Sequence, residues 1–304
     1  MKEIKWGILG PGRIAHKFAT GLAALPDARL VAVGSRSSER AGEFASQYGA
    51  ERAHGSYEAL AADPDVDVIY VATPHPQHLR ATLLCAEQGK AVLCEKPFAV
   101  NAGQAQQMAD AARANDVFLM EAMWTRFLPA WQQVRAWIDS GEIGEVRLMS
   151  GTFGFRAGWD PEGRLLNPQL AGGSLLDVGV YLTSASYWIM GRGPDEVLST
   201  AHLGTTGVDE QAAFIFGYEG GALGSFASAV RTNMQHVMFI YGTEGWIEVP
   251  HMFWNTTRAV LHRGDEETAF DEPHLANGYE FQAREVGQCL RDGKRESSIL
   301  PLEE

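Results

Sequence analysis

The sequence predicts an α/β domain built on a doubly wound parallel sheet, followed by an α+β domain with a large, mostly antiparallel open sheet. In the first 121 residues, apolar strand-like segments alternate with amphipathic helix-like segments. Beyond about residue 122, alternating strands joined by short turns dominate instead. The length of 304 residues suits two domains, each with its own core. We therefore place the domains at residues 1–121 and 122–304.

The first domain is predicted to repeat β–α units. Its strands are short and almost wholly apolar, which is typical of a parallel sheet covered by helices on both faces. In such a sheet the ligand lies at the carboxyl ends of the strands. The predicted strands are Ile4–Leu9, Arg29–Gly34, Val66–Ala72, Ala91–Cys94 and Val117–Met120, and the predicted helices are Ile14–Leu25, Ser38–Tyr48, Pro76–Gln88 and Ala102–Asn115.

The second domain is predicted to combine three helices with an antiparallel sheet. Short glycine-containing turns at residues 219–221 and 243–245 join strands that alternate polar and apolar residues. The last predicted helix, Tyr279–Asp292, is expected to return toward the first domain. The other helices are Pro129–Ser140 and the glycine-headed Gly172–Met190, and the strands include Val146–Phe155, Ala212–Tyr218, Ala222–Ala229, Met238–Tyr241 and Trp246–Val249.

A glycine-rich turn lies between the first predicted strand and the first helix. Its sequence, G-P-G-R-I-A from Gly10 to Ala15, matches the G-x-G-x-x-G/A fingerprint of dinucleotide binding in the strand–turn–helix context that the fingerprint requires. Gly10 permits the tight turn, and Gly12 lets a pyrophosphate approach the backbone at the helix N-terminus. An ordinary glycine-rich turn does not explain why a buried strand runs straight into it. The other predicted cofactor contacts of this turn are Pro11, Arg13 and Ile14.

The end of the second predicted strand bears on which dinucleotide is bound. NAD-binding versions of the fold place an acidic residue there for the ribose 2′-hydroxyl, but this chain reads Ser35-Arg36-Ser37. Ser35 and Arg36 are suited to a 2′-phosphate, and Arg40 adds a second cation one turn into the next helix. A solvated arginine beside a serine helix cap is the alternative. The pattern favours NADP(H), with NAD(H) still possible.

Glu95-Lys96-Pro97 follows a short predicted strand and so lies at the ligand-bearing edge of the sheet. A lysine there can stabilise an alkoxide beside a nicotinamide and favour deprotonation of a neighbouring hydroxyl. Glu95 is placed to orient the lysine ammonium and is also a predicted cofactor contact, as is Lys96 itself. The alternative is a surface ion pair at a turn.

Asp177 and Tyr181 are four residues apart on the predicted helix that Gly172-Gly173-Ser174 leads, so both side chains share one face. The aspartate can position a substrate, and the tyrosine can accept and donate its proton. A capping or solvated carboxylate and a buried structural tyrosine are the alternatives.

Two histidines occur in Thr73-Pro74-His75-Pro76-Gln77-His78, which follows another predicted strand. Their spacing suggests a metal site, but no suitably spaced Cys, Asp or Glu completes one, so no metal is predicted. We expect contacts with the cofactor, at the nicotinamide ribose, or with a substrate hydroxyl instead. The predicted cofactor contacts here are Thr73, Pro74, His75 and His78.

Trp124 and Arg126 are candidates for the wall of a substrate pocket, because they fall where the two predicted domains meet. Such residues are more often part of a core. The predicted substrate contacts are Trp124, Arg126, Phe153, Asp177 and Tyr181, with Trp159 and Trp254 as further candidates for an aromatic cleft.

Composition excludes several classes of function. The formal net charge of −13 argues against nucleic acid as a partner. No stretch approaches the roughly 20 apolar residues of a membrane span, and the start lacks the apolar core of a signal peptide. The three cysteines lack metal spacing and are typical of reduced thiols in the cytoplasm. The open second sheet suggests a homodimer or homotetramer.

Taken together, these motifs resemble those of the Gfo/Idh/MocA oxidoreductases, and the resemblance runs through nearly the whole chain. In that family the lysine matching Lys96 is catalytic, its bond to the following proline is usually cis, and the residues matching Asp177 and Tyr181 complete the site. The matching segments are G-P-G-R-I-A (10–15), T-P-H-P-Q-H (73–78), E-K-P (95–97) and G-G-S-L-L-D-V-G-V-Y (172–181).

Tyr181 stands where many members carry histidine, and His75 where many carry asparagine. Together with S-R-S at 35–37 and M-E-A-M-W-T-R-F at 120–127, this combination resembles the branch that contains dimeric dihydrodiol dehydrogenases and NADP-dependent D-xylose dehydrogenases, in which the tyrosine is the proposed acid/base. The resemblance implies hydride transfer between nicotinamide and a secondary alcohol or carbonyl of a sugar, polyol or vicinal diol. An NAD-dependent glycosidase of the same fold and a non-catalytic dinucleotide-binding sensor are the alternatives.

Overall fold

Two β-sheets organise the chain in a computed structural model, which describes residues 2–304. One compact unit ends at Trp124 and also contains His274–Glu303, and the other comprises Thr125–Pro273 together with Glu304. Residues 274–303, which were predicted to belong to the second domain, thus cluster with the first unit.

The first unit is a six-stranded sheet with the order β3-β2-β1-β4-β5-β6, and every neighbouring pair is parallel. This order reverses direction between β1 and β4, as in doubly wound folds. Its strands are β1 (Ile4–Leu9), β2 (Ala28–Gly34), β3 (Arg52–His54), β4 (Val68–Val71), β5 (Ala91–Glu95) and β6 (Leu119–Ala122). Its helices are α1 (Arg13–Leu22), α2 (Ser38–Tyr48), α3 (Tyr57–Ala61), α4 (His78–Glu87), α5 (Ala102–Ala114) and α8 (Tyr279–Arg291).

The predicted parallel sheet is confirmed, and its central strands are buried on both faces as their composition requires. Strand β3 and helix α3 were not predicted. The strand is three residues long and lies at the sheet edge with no buried residue, so it carries no apolar run. Helix α3 spans five residues, too few to show a helical period.

Close packing on α1 explains why the last helix belongs to the first unit. A Cβ atom added at Gly21 of α1 would stand 2.9 Å from the backbone nitrogen of Glu280. Just before α8, the Asn277 side chain donates a hydrogen bond to the carbonyl of Lys17 at 2.9 Å. No helix formed by residues 2–304 has the length and apolar character that crossing a bilayer demands.

The second unit is an eight-stranded sheet with the order β14-β13-β12-β11-β7-β10-β9-β8. Only the β7–β10 pair is parallel, so the predicted mostly antiparallel sheet is confirmed. Its strands are β7 (Val146–Gly154), β8 (Glu196–Leu203), β9 (Asp209–Gly217), β10 (Leu223–Ala229), β11 (Met238–Gly242), β12 (Trp246–Val249), β13 (Arg258–Arg263) and β14 (Glu266–Asp271). Its helices are α6 (Pro129–Asp139) and α7 (Val180–Met190), and a π-helical turn at Leu175–Gly179 precedes α7.

Candidate active site

The glycine turn after β1 has the geometry that a dinucleotide pyrophosphate requires. Gly10 has φ +91°, and a Cβ there would stand 3.2 Å from the carbonyl oxygen of Ala72. A Cβ at Gly12 would meet nothing closer than 4.0 Å, so that side of the turn is open. No side chain within residues 2–304 caps the N-terminus of α1. Its leading N–H groups and positive dipole end therefore suit a phosphate.

The segment after β2 presents cations beside the same turn. Ser35 is buried, and its Oγ accepts a hydrogen bond from the backbone of Ser37 at 3.2 Å. Arg36 is exposed. Arg40, in the first turn of α2, directs Nη2 to the carbonyl of Pro11 at 3.5 Å. Arg40 thus reaches the glycine turn itself, whereas Arg36 is exposed to solvent.

Buried groups hold the turn that carries Lys96, at the carboxyl end of β5. The Lys96–Pro97 peptide bond is cis, as the resemblance implies. The Lys96 backbone N–H donates to the Glu95 carboxylate at 3.2 Å, and the Phe98 N–H donates to Glu121 at 2.9 Å. The lysine side chain itself is half-buried. This turn is therefore fixed on both sides of Lys96.

Glu95 is a buried carboxyl that accepts a hydrogen bond from the hydroxyl of Tyr70. Burial raises the pKa of Glu95 to about 7, although the Tyr70 hydrogen bond and the Lys96 charge both oppose this shift. The carboxylate also accepts the backbone N–H of Lys96, so it is tied to the turn that carries the lysine. Its burial and its bonds to the Tyr70 hydroxyl and the Lys96 backbone give Glu95 a supporting role in this turn.

His78 is a correction to the predicted cofactor contacts. Its side chain is fully buried, and its ring nitrogens each lie 2.9 Å from a backbone carbonyl, those of Thr73 and Pro97. Burial lowers the pKa of His78, and a neutral ring carries one N–H for the two carbonyls. No ring nitrogen is available to a nucleotide. The ring instead lies between the loop after β4 and the turn that carries Lys96, where its one N–H donates to one of these two carbonyls.

The other residues of that loop remain candidates for cofactor contact. Thr73 is buried, and its methyl carbon Cγ2 would lie 3.3 Å from a Cβ added at Gly10. Pro74 is exposed and His75 is half-buried. The loop thus adjoins the glycine turn, as expected from two parallel strands whose carboxyl ends share one edge.

Asp177 lies in the π-helical turn of the second unit, and Tyr181 follows in the first turn of α7. Both residues are buried. The Asp177 carboxylate accepts a hydrogen bond from Nη1 of Arg164 at 2.7 Å. Asp209 of β9 anchors the start of this segment, because its carboxylate accepts hydrogen bonds at 2.7 Å from both Ser174 Oγ and the Leu175 N–H.

Aromatic rings surround Tyr181 within the second unit. The ring of Phe153 lies 5.4 Å from that of Tyr181, and it stacks on Trp254 at 5.4 Å with an interplanar angle of 8°. Trp254 is itself 6.3 Å from Tyr181. The structure therefore brings together two predicted substrate residues and one of the two further aromatic candidates. Trp159, the other, is exposed on a loop beneath the guanidinium of Arg231.

Arg126 and Trp124 are engaged within their own units, and for Arg126 this corrects the predicted substrate contact. The buried Arg126 guanidinium donates to Ser184 Oγ at 2.9 Å and pairs with the Glu304 carboxylate. Its charge is thus satisfied internally. Trp124 is buried and stacks on Tyr279 with ring centroids 4.3 Å apart. Burial of Trp124 comes from long-range packing that the local sequence does not show.

No cluster of three or more His, Cys, Asp or Glu side chains able to hold a metal ion occurs in the described part of the chain. The cysteine thiols at positions 85, 94 and 289 are buried, and burial raises the pKa of Cys85 and Cys289 to about 12. Thiolate chemistry is therefore not indicated at these positions.

Two family models match the chain, one to each sheet region. The model described as "Oxidoreductase family, NAD-binding Rossmann fold" matches residues 4–123. The GFO/IDH/MocA C-terminal domain matches residues 131–248. The chain belongs to the Gfo/Idh/MocA oxidoreductase family. The predicted family and fold class are thus confirmed.

Full-length relatives within the family include dehydrogenases from animals. The trans-1,2-dihydrobenzene-1,2-diol dehydrogenase of Mus musculus is 39% identical over 312 residues, spanning 99% of this chain and 92% of its own length. The Homo sapiens enzyme of the same name is 36% identical over 312 residues, with the same coverage.

Solved structures of family members share the fold. An aldose-aldose oxidoreductase from Caulobacter crescentus, complexed with glycerol, has a TM-score of 0.91 and 26% identity, covering 99% of this chain and 93% of that one. The 3-ketoreductase KijD10 from Actinomadura kijaniata, with NADP and TDP-benzene, has a TM-score of 0.85 and 25% identity, covering 97% and 91%. This member of the family is an NAD(P)-dependent dehydrogenase acting on alcohol groups.

Proposed function

We propose that the chain is an NADP(H)-dependent dehydrogenase or reductase for a secondary alcohol of a vicinal diol, sugar or polyol. Tyr181 accepts the proton of the reacting hydroxyl, and Lys96 stabilises the alkoxide that develops and lowers the pKa of the tyrosine. Asp177 orients the substrate. Bound nicotinamide supplies the hydride acceptor at its C4 carbon, while the protein contributes placement and electric field.

The construction of the Lys96 turn is the observation that carries this proposal. Backbone bonds to the Glu95 and Glu121 carboxylates fix the main chain on either side of the lysine, and the buried ring of His78 lies between the carbonyl of Pro97 and that of Thr73 in the neighbouring loop. A solvated ion pair at a surface turn needs no such buried support. A lysine that must stabilise charge at one point of a substrate needs such buried support, because electrostatic catalysis depends on preorganised groups.

The substrate class rests on the aromatic surroundings of Tyr181 and on the names of the relatives. Flat rings such as those of Phe153 and Trp254 suit the apolar face of a ring-shaped substrate, whose hydroxyls lie at its edge. Relatives at 36–39% identity carry the name trans-1,2-dihydrobenzene-1,2-diol dehydrogenase. A cyclic vicinal diol, such as a pyranose, has both the apolar ring face and the adjacent hydroxyls at the ring edge.

A spectrophotometric screen at 340 nm tests the proposal. Purified protein is mixed with NADP or NAD and with trans-1,2-dihydrobenzene-1,2-diol, aldoses or inositols in parallel. Absorbance should rise with at least one of these substrates and stay flat in their absence. Absence of any nicotinamide reduction or oxidation, in either direction, would overturn the proposed function.

Preference for NADP over NAD is predicted to depend on Arg36 and Arg40. The double variant Arg36→Ala/Arg40→Ala should lower kcat/KM for NADP by about a hundredfold, because charge-assisted hydrogen bonds to a phosphate contribute roughly 1.5–3 kcal/mol. For NAD, kcat/KM should change less than about threefold, because NAD has no 2′-phosphate for the two arginines to contact. Exposed Arg113, in the last turn of α5, provides the control variant Arg113→Ala. An equal loss with both nucleotides would contradict the assignment.

The solvent-facing side of the second sheet is proposed to join two copies of the chain. Leu198 and Ile215 are cross-strand neighbours there, as are Leu223 and Leu148, and all four are exposed. An apolar patch of this kind on a flat sheet is typical of a self-association surface. Nearby rings extend the face; Trp246 stacks on His262, for example, with centroids 3.6 Å apart.

The variant Leu198→Glu/Ile215→Glu is expected to sediment as a monomer in analytical ultracentrifugation, whereas the wild type forms a dimer or tetramer. Charge placed at the centre of an association surface leaves unpaired, desolvated carboxylates. Leu275→Glu, at an equally exposed leucine of the first unit, is the control and should leave the assembly unchanged. A wild-type protein that is monomeric at micromolar concentration would rule out this interface.

A further inference from the structure

Residues 155–174, which connect β7 to the π-helical turn, pack against a small apolar cluster. Leu166 is buried in a cluster with Val208 and Val230. The backbone N–H of Asn167 donates to the carbonyl of Gly163 at 3.0 Å, so the chain turns tightly at this point. Arg164 lies inside that turn. Its backbone position is therefore determined by packing rather than left to solvent.

The same turn is bonded to the segment that carries Asp177. The N–H of Gly173 donates to the carbonyl of Leu165 at 2.9 Å, and the N–H of Gly172 donates to that of Asn167 at 3.1 Å. A Cβ at Gly172 would stand 2.7 Å from the Leu165 carbonyl oxygen, so the two stretches of backbone are in close contact. Arg164 and Asp177 are thus carried by segments that are fixed to each other.

The ion pair between these residues is asymmetric. Nη1 of Arg164 lies 2.7 Å from Oδ1 of Asp177, and the arginine side chain is 55% exposed whereas the aspartate side chain is 6% exposed. Most surface ion pairs contribute little because both partners are well solvated. Here the carboxylate is almost wholly shielded from solvent, so neighbouring groups must compensate its charge.

We propose that Arg164 is a positioning residue for Asp177 and thereby sets how tightly the substrate is bound. By occupying Oδ1 it fixes the plane of the carboxylate, which then presents a defined orientation to a substrate hydroxyl. The inference rests on the proposed role of Asp177 and adds a residue to it. Because Arg164 acts through Asp177, its loss should affect substrate affinity more than the rate of the chemical step.

The test compares Arg164→Met with Arg164→Lys in steady-state kinetics on trans-1,2-dihydrobenzene-1,2-diol with NADP. Methionine keeps an apolar stem but removes the charge, and lysine restores a cation. Arg164→Met should raise KM about tenfold and lower kcat less than about threefold, because a hydrogen bond between charged groups is lost away from the reacting atoms. Arg164→Lys should recover KM to within about threefold of wild type, since a cation again faces Asp177. Arg156→Met, at an exposed arginine of the same loop, is the matched control and should behave as wild type.

A double-mutant cycle separates this inference from the proposed function. If Arg164 acts through Asp177, then Arg164→Met/Asp177→Asn should be no worse than Asp177→Asn alone. An unchanged KM in Arg164→Met, alongside a strong effect of Asp177→Asn, would overturn the inference and leave the proposed function intact. Wild-type kinetics in Asp177→Asn would remove Asp177 from the proposed function and Arg164 with it. Thermal denaturation of each variant, with Arg164→Gln as a second neutral substitution, shows whether a loss reflects unfolding.

Discussion

Replacing Lys96 with methionine is expected to lower kcat by about a thousandfold or more while the dissociation constant for NADP changes little. The ammonium has two roles in the proposed reaction, stabilising the alkoxide and lowering the pKa of Tyr181. Groups of this kind contribute roughly 10²- to 10⁴-fold to rate. Methionine has a similar length, and hydrogen bonds to the backbone of residues 96, 97 and 98 help to shape the turn. The fold of the turn should therefore survive.

Stopped-flow or steady-state measurement of kcat, together with fluorescence titration of NADP, checks this result. The control is Lys17→Met, which removes an exposed ammonium from α1 of the same unit. Its kcat should remain within about twofold of wild type, since surface charges of this kind have small effects. If Lys96→Met turned over at the wild-type rate, the lysine would have no part in the chemistry.

Removing the hydroxyl of Tyr181 is predicted to have a comparable effect on turnover. The variant Tyr181→Phe should lose about a hundredfold or more in kcat, because proton transfer then depends on water instead of a positioned acid/base. Its ring remains, so the contact with Phe153 at 5.4 Å and the surrounding packing are kept. Substrate affinity should consequently fall far less than kcat.

Tyr187→Phe is the matched control, since Tyr187 lies on the same helix and its ring is also retained. That variant should keep kcat within about twofold, as is usual for substitutions that alter neither packing nor a catalytic group. Equal kinetics for Tyr181→Phe and Tyr187→Phe would assign Tyr181 to the aromatic wall alone. Some other group would then have to accept the proton.

Features of the site that depend on local sequence patterns could be predicted from the sequence. The turn at Gly10 requires a positive φ and close approach to Ala72, and only glycine meets both conditions without strain. The position of Lys96 at a carboxyl strand end follows from the alternation of strands and helices. Such features are determined by segments of about ten residues, so they can be recognised without knowing the rest of the fold.

Features that depend on burial and on distant partners could not be predicted in this way. His78 and Arg126 have the residue types of ligand contacts, yet one is fully buried against backbone carbonyls and the other is paired with Glu304, 178 residues away. Glu121 and Asp209 support the site from other strands, at sequence distances that no local pattern covers. Only the folded chain shows that these groups meet.

The two edge strands of the second sheet, β8 and β14, could not be predicted from strand periodicity for a related reason. All eight residues of β8 are exposed, so they lack the alternation that marks a half-buried strand. The same holds for most of β14 at the opposite edge. Edge strands are specified by hydrogen bonding to a neighbour rather than by their own apolar face.

The central claim is that hydrogen moves directly from a substrate carbinol carbon to the nicotinamide ring. Mass spectrometry of the cofactor after turnover of carbinol-deuterated trans-1,2-dihydrobenzene-1,2-diol, or of a deuterated aldose that the 340 nm screen identifies, tests this claim most directly. We expect each NADPH produced to carry one deuterium from the substrate, in a one-to-one ratio with oxidised product. Deuterium released to solvent, or substrate consumed while the nicotinamide keeps its oxidation state and gains no label, would contradict the account.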